Sequence, residues 1–258
     1  MCFDLDSEPP IPGIAGAAVD GRQLELTAED GNRFTTYLAE AEHPSGAGML
    51  VLPDVRGLHH YYEELALRFA EAGIDALAID YFGRTAGTGP RGDDFDYQPH
   101  VGQLKWDGMR ADARTAVATL RAERGVRAVF SIGFCMGGRL SFALGSVPDL
   151  AMAGVIGLYG WPTGEHRSGS PSPAAEAAAG RLKAPVLGLF GGADQGIGPD
   201  VVAEFERSLV SGGVDHRVIT YPGAPHSFFD RKQAEFAEAS AAAWAEILAF
   251  VKANTPAS

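Results

Sequence analysis

A thiol with glycines two positions to either side, Gly133-Phe134-Cys135-Met136-Gly137, is the segment of this 258-residue chain best suited to chemistry. An apolar run from Arg127 to Ile132 precedes it, and a small-residue, helix-compatible run from Gly138 to Leu144 follows. Where a strand turns sharply into a helix, the residue at the tip takes a strained backbone conformation and exposes its side chain, as a nucleophile must. The flanking glycines let neighbouring backbone pass where a Cβ would clash. The implied chemistry is covalent attack by sulfur on an electrophilic centre. Plain packing is the competing reading, because a cysteine outside a disulfide often behaves as a small hydrophobe. The choice depends on partners for the thiol.

A thiolate nucleophile needs a base to take its proton and a third group to hold that base in the working tautomer. Asp194 closes the run Leu189-Phe190-Gly191-Gly192-Ala193-Asp194, just past an apolar strand. His226 sits in Tyr221-Pro222-Gly223-Ala224-Pro225-His226-Ser227-Phe228, on a loop after the next strand. Open α/β sheets bind ligands at the carboxyl ends of their strands. Nucleophile, acid and histidine in that chain order are the arrangement of α/β-hydrolases. Among the other histidines, His43, His166 and His216 read as surface or strand positions. His59 and His60 begin a helix beside the site, and His100 lies in a covering loop. None forms a spaced metal-ligand motif with carboxylates, so neither a metal nor another cofactor is expected.

The elements that must position these residues alternate short β-rich runs with helical ones, which implies parallel strands joined by crossovers. Asp30-Gly31-Asn32 between Leu24–Thr27 and Arg33–Ala39 signals a hairpin. Strands are expected at Gly48–Leu52, Ile74–Asp80, Val126–Ile132, Ala153–Tyr159, Pro185–Phe190 and His216–Tyr221. Helices are expected at Tyr61–Ala72, Leu104–Arg124, Pro199–Ser211 and Gln233–Lys252. Gly83 to His100 reads as a loop over the site, and Thr163 to Gly180 as a loop with a short helix. The expected architecture is a mostly parallel sheet of about eight strands with helices on both faces, one domain over residues 22–258 behind a leader over 1–21.

A net charge of −12 argues against a nucleic-acid surface, which needs a basic stripe. The cysteines are Cys2 and Cys135. Cys2 falls in a Pro-rich leader expected to be mobile, so a structural disulfide is not expected and a cytoplasmic location is. The leader is acidic without Lys or Arg, unlike a secretory signal. No apolar stretch reaches the ~20 residues needed to span a bilayer. The expected protein acts on a small molecule, without nucleic acid or membrane, as a monomer or homodimer.

The set Gly-Phe-Cys-Met-Gly-Gly, Gly-Gly-Ala-Asp and Ala-Pro-His-Ser-Phe resembles the dienelactone hydrolase family, over nearly the whole chain from about Arg22. That resemblance implies Cys135 as nucleophile, Asp194 as orienting acid and His226 as base. It also implies an acidic residue after the strand that precedes the first helix. Leu52-Pro53-Asp54-Val55-Arg56-Gly57 supplies Asp54 there, where dienelactone-cleaving members carry the longer glutamate that modulates the thiol. Asp54 as a loop cap, or as a partner of Arg56, is the alternative. Those members hold a substrate carboxylate with arginines, one of them four residues after the histidine. Here that position is Asp230, with Arg231 one step on, which points away from a true dienelactone. Arg56, Arg84 and Arg91 are the candidates to replace it.

The function expected is cleavage of a carboxylic ester or lactone through a thioester on Cys135. Backbone N–H groups of Val55 and Met136 are the candidates to meet the oxyanion. Tyr81, Phe82, Trp161, Phe228 and Phe229 cluster near strand ends and are candidates to wall an apolar pocket; ordinary core packing is the alternative for each. Two other functions fit the same residues: hydrolysis of other esters, such as phosphotriesters, and non-catalytic binding of a small ligand.

Overall fold

The computed structural model of the chain describes residues 4, 6–13, 19–92 and 94–256. Cys2 and part of the leader lie outside them. The first two strands, β1 (Val19–Thr27) and β2 (Arg33–Ala41), form the expected antiparallel hairpin. Its turn needs Gly31 at φ 83°, and Asp30 Oδ1 accepts the Asn32 N–H at 3.2 Å. Then come β3 (Ala47–Leu52), β4 (Asp75–Ile79), β5 (Ala128–Phe134), β6 (Gly154–Leu158), β7 (Val186–Gly191) and β8 (His216–Tyr221). They join one eight-stranded sheet in the order β1-β2-β4-β3-β5-β6-β7-β8. Every pair from β4 to β8 in that order is parallel; only the β1–β2 and β2–β4 pairs are antiparallel.

The helices are α1 (His60–Glu71), α2 (Gly83–Ala86), α3 (Gln98–Val101), α4 (Trp106–Arg124), α5 (Met136–Leu144), α6 (Pro173–Ala178), α7 (Pro199–Ser211) and α8 (Ala237–Ala253). They cover both faces of the sheet, and successive strand residues divide between the two sides as the pleat requires. Met49, Val51, Ala76 and Ala78 join the cluster with Tyr61, Leu65 and Phe69 of α1 and Ile247 of α8. Their neighbours Leu50, Leu52, Leu77 and Ile79 join the other cluster, with Ala113, Ala116 and Leu120 of α4. Strands buried on both faces read as continuous apolar runs, and β3, β4 and β7 do.

Two expectations need correction. Residues 83–100, read as a loop, contain the one-turn helices α2 and α3. The segment is pinned by Arg91, whose guanidinium bonds Asp80 Oδ2 at 2.8 Å and lies over the Phe95 ring. The leader was expected to be mobile, yet residues 6–13 are docked. Glu8 N–H donates to Asp230 Oδ1 at 3.1 Å, and Arg231 N–H donates to Glu8 O at 2.9 Å. Arg231 pairs with Glu8 and Lys232 with Asp6. Among the described residues no helix is long and apolar enough to cross a membrane.

The strand order reverses at β3, since β4 lies on one side of it and β5 on the other. Loops leaving the carboxyl ends of β3 and β5 therefore diverge and open a crevice, the usual ligand site of a doubly wound sheet. The loop holding Asp54–Arg56 and the turn at Cys135 leave those two ends.

Candidate active site

Cys135 lies between β5 and α5 at φ 54°, ψ −113°, a conformation that L side chains rarely adopt. The turn is held from both sides: Cys135 N–H donates to Leu158 O at 3.1 Å, and its carbonyl accepts Arg139 N–H at 3.2 Å. The flanking glycines are required by contact. A Cβ on Gly133 would come within 1.9 Å of Gly137 O, and one on Gly137 within 2.2 Å of Leu52 O. Both obstacles are backbone and cannot rotate away. Cys135 is partly exposed and outside any disulfide. Its place at the N-terminus of α5 favours the thiolate electrostatically.

Asp194 follows β7, and its carboxylate is accounted for on both oxygens. Oδ1 accepts Gly196 N–H at 2.8 Å and Ile197 N–H at 3.1 Å, while Oδ2 lies 2.6 Å from His226 Nδ1. Burial works to raise its pKa, but the His226 bond, the His226 charge and the two amides outweigh it, so the value falls below the ordinary carboxylate range. Asp194 is thus ionised at neutral pH and accepts from Nδ1, which leaves Nε2 of His226 as the proton acceptor. Tyr159, at φ 40° just past β6, packs its ring 4.9 Å from the His226 ring. Of the four positive-φ residues other than glycine among those described, Cys135, Tyr159 and Ser227 sit at this edge of the sheet. Strain of this kind clusters at functional sites. A cleft of about 430 Å³ opens beside Asp194 and His226.

Asp54 is fully buried after β3 and pairs with Arg56, whose Nη2 lies 3.2 Å from Oδ2 and whose backbone N–H donates to Oδ1 at 2.9 Å. The pairing with Arg56 weighed from sequence is thus present. Its own N–H donates to Tyr62 Oη at 2.9 Å. Tyr81 donates its hydroxyl to Pro53 O at 2.9 Å. Burial, with added pressure from Asp54, Asp80 and Cys135, holds the Tyr81 pKa well above its ordinary value. Val55 and Met136 follow β3 and Cys135 respectively; Met136 is the first residue of α5, whose leading N–H groups have no acceptor within the helix.

The remaining candidates divide. Arg56 and Arg91 line a second cavity, of about 210 Å³, with His59, Phe95 and Tyr97. Arg84 does not reach it: it bonds Asp112 at 2.8 Å and Asp30 at 2.5 Å, in a separate cleft of about 500 Å³. Phe228 is fully buried between Tyr159 and Tyr221, so it backs the His226 loop instead of forming a pocket surface. Phe82 and Phe229 are also fully buried. Trp161 is 44% exposed. Asp230, at the position where the family resemblance implied an arginine, is buried and holds the leader.

Sequence reasoning missed Tyr62, Tyr159 and Arg139. The signal for Tyr159 was available, because it ends a strand beside the nucleophile's strand. Arg139 was visible only as an isolated charge in the small-residue run after Cys135.

His59 caps α1, and its buried Nε2 has no hydrogen-bond partner among the described residues. Burial, with Arg56 and His60, pushes its pKa from 6.5 down to about 3. Between those values the unfolded chain binds a proton that the folded chain refuses, so stability falls as pH drops through that window. His59→Gln is expected to flatten the decline of Tm with falling pH; a slope unchanged from the wild type would assign the acid sensitivity to other groups.

A relative from Saccharolobus solfataricus named "Putative carboxymethylenebutenolidase" is 26% identical over 261 residues, covering 86% of this chain and 95% of its own. The structure of a dienelactone hydrolase-like promiscuous phosphotriesterase from metagenomic libraries superposes with a TM-score of 0.76 at 24% identity, covering 93% of this chain and 100% of its own. A structure titled "Putative Dienelactone Hydrolase" from Klebsiella pneumoniae subsp. pneumoniae MGH 78578 has the same TM-score, 0.76, at 24% identity, over 91% of this chain and 99% of its own. The family model for dienelactone hydrolases matches residues 34–255. With that match over most of its length, the chain belongs to the dienelactone hydrolase family and is a hydrolase of the α/β-hydrolase fold.

Proposed function

We propose that this hydrolase cleaves a carboxylic ester or lactone by covalent catalysis, with Cys135 as nucleophile, His226 as base and Asp194 as the group that orients the base. The observation that carries the reading is the 2.6 Å contact between His226 Nδ1 and Asp194 Oδ2, at the same sheet edge as a thiol held at positive φ. The thiol proton passes to His226 Nε2 as Sγ bonds to the carbonyl carbon, and the carbonyl electrons move onto oxygen. The N–H groups of Met136 and Val55 meet that oxyanion, and each such donor is worth about 10²–10³ in rate. Collapse of the tetrahedral adduct breaks the ester C–O bond, and His226 returns the proton to the departing alcohol oxygen. Water, deprotonated by His226, then attacks the thioester and releases the acid and the thiol.

The Arg56 pair is compatible with the thiol-modulating role that the family resemblance implies for Asp54. A carboxylate already neutralised by a guanidinium repels a thiolate less than an unpaired one does.

The substrate bond is tested with a matched panel. Turnover of 4-nitrophenyl acetate and butyrate is expected, at kcat/KM at least about a hundredfold above that of diethyl 4-nitrophenyl phosphate. Preference for the phosphotriester would assign the site to phosphoryl transfer, and saturable binding of the esters without release of 4-nitrophenol would make it a binding protein.

A further inference from the structure

Four arginines near the strand ends could hold an anionic substrate, and each already has an oxygen partner. Arg56 pairs with fully buried Asp54, and Arg91 with Asp80, itself nearly inaccessible, at 2.8 Å. Arg84 faces Asp30 and Asp112. Arg139 is buried too, but its partners are neutral: the carbonyls of Trp161, Thr163, Gly164 and Pro171 at 2.8–3.1 Å, and Ser170 Oγ at 3.2 Å. A substrate carboxylate at Arg56 or Arg91 would have to share the guanidinium with a buried Asp, and crowding two carboxylates on one cation weakens its hold on the second. Each guanidinium lining the cavity is matched by one buried carboxylate behind it, and His59 adds no charge at ordinary pH because burial holds its pKa near 3.

Trp161 is a large hydrophobic side chain left exposed, two residues beyond the Tyr159 that packs on His226. Its backbone is tied to the elbow helix. Trp161 O and Thr163 O both accept from Arg139 on the elbow helix, and Trp161 Nε1–H donates to Thr163 Oγ1 at 3.1 Å. Gly160 packs against the same helix, close enough that a Cβ there would lie 2.4 Å from Arg139 N. An exposed indole held this firmly presents contact area without an ordering cost on binding.

We infer that the site selects uncharged esters, with Trp161 as their apolar contact, and discriminates against substrates that carry a carboxylate. This rests on the hydrolase reading above. It separates the chain's specificity from anion recognition: Arg56, Arg84 and Arg91 hold the protein together, and Arg139 positions the Trp161 loop.

The test is a pair of aryl esters of equal acyl length, 4-nitrophenyl methyl adipate and 4-nitrophenyl hydrogen adipate, assayed at neutral pH and low salt. The methyl ester is expected to have a kcat/KM at least about tenfold higher. Trp161→Ala is expected to raise KM for the methyl ester about tenfold with kcat nearly unchanged, and Trp161→Phe to recover most of the loss. Equal or better turnover of the free acid would overturn the inference, as would a KM indifferent to Trp161→Ala. Failure of the wild type to turn over either ester would overturn the hydrolase reading itself, and this inference with it.

Discussion

Cys135→Ala is expected to lower kcat/KM for 4-nitrophenyl butyrate by at least about 10⁴-fold, because removing the nucleophile leaves only binding and the oxyanion donors. The substitution isolates the sulfur. Alanine keeps the Cβ, so the penalty of φ 54° at this turn is the same in both proteins. The backbone bonds that hold the turn, to Leu158 O and from Arg139 N–H, do not involve the side chain. The variant should therefore unfold at nearly the wild-type temperature while losing its activity. An alanine variant that retains wild-type turnover would remove Cys135 from the reaction.

Asp194→Asn is expected to cost about 10³–10⁴ in kcat, by a route the hydrogen bonds specify. Asp194 Oδ1 is fixed by the amides of Gly196 and Ile197, so an asparagine oxygen stays with those donors. Its NH₂ then faces His226 Nδ1 and forces that nitrogen to accept. The proton moves to Nε2, the atom that must take the thiol proton, and the base is lost although every side chain is in place. The carboxylate also sets a pH limit. Its folded pKa lies below the ordinary value, so its stabilising contribution is complete above that ordinary value and disappears as pH falls through the lowered one. A pH–rate profile for Asp194→Asn with wild-type kcat at its maximum would refute the orienting role.

What could be read from the chain was whatever is written in local sequence. The Asp30-Gly31-Asn32 turn, the apolar runs of β3 to β7 and the glycines around Cys135 are local signals, and each gave its element within a few residues. Asp194 and His226 were legible because strand ends are legible and chain order is fixed by the topology. What escaped was made by partners distant in sequence. Asp230 anchors the leader across 222 residues, a contact no window of sequence contains. Arg91, in the middle of a Gly- and Pro-rich stretch, finds Asp80, and that stretch holds two helical turns where composition reads loop. Arg84 was a reasonable substrate ligand until Asp30 and Asp112 were seen on either side of it. Phe228 read as a pocket wall because aromatic residues at strand ends serve equally as core, and only burial separates the two uses.

The most direct measurement is the mass of the protein quenched in acid within milliseconds of mixing with excess 4-nitrophenyl butyrate. One butyryl group per chain, recovered on the peptide that contains Cys135 and absent from Cys135→Ala, is the predicted result. Steady turnover with no adduct at Cys135, or an adduct on any other side chain, would contradict a thioester at this turn.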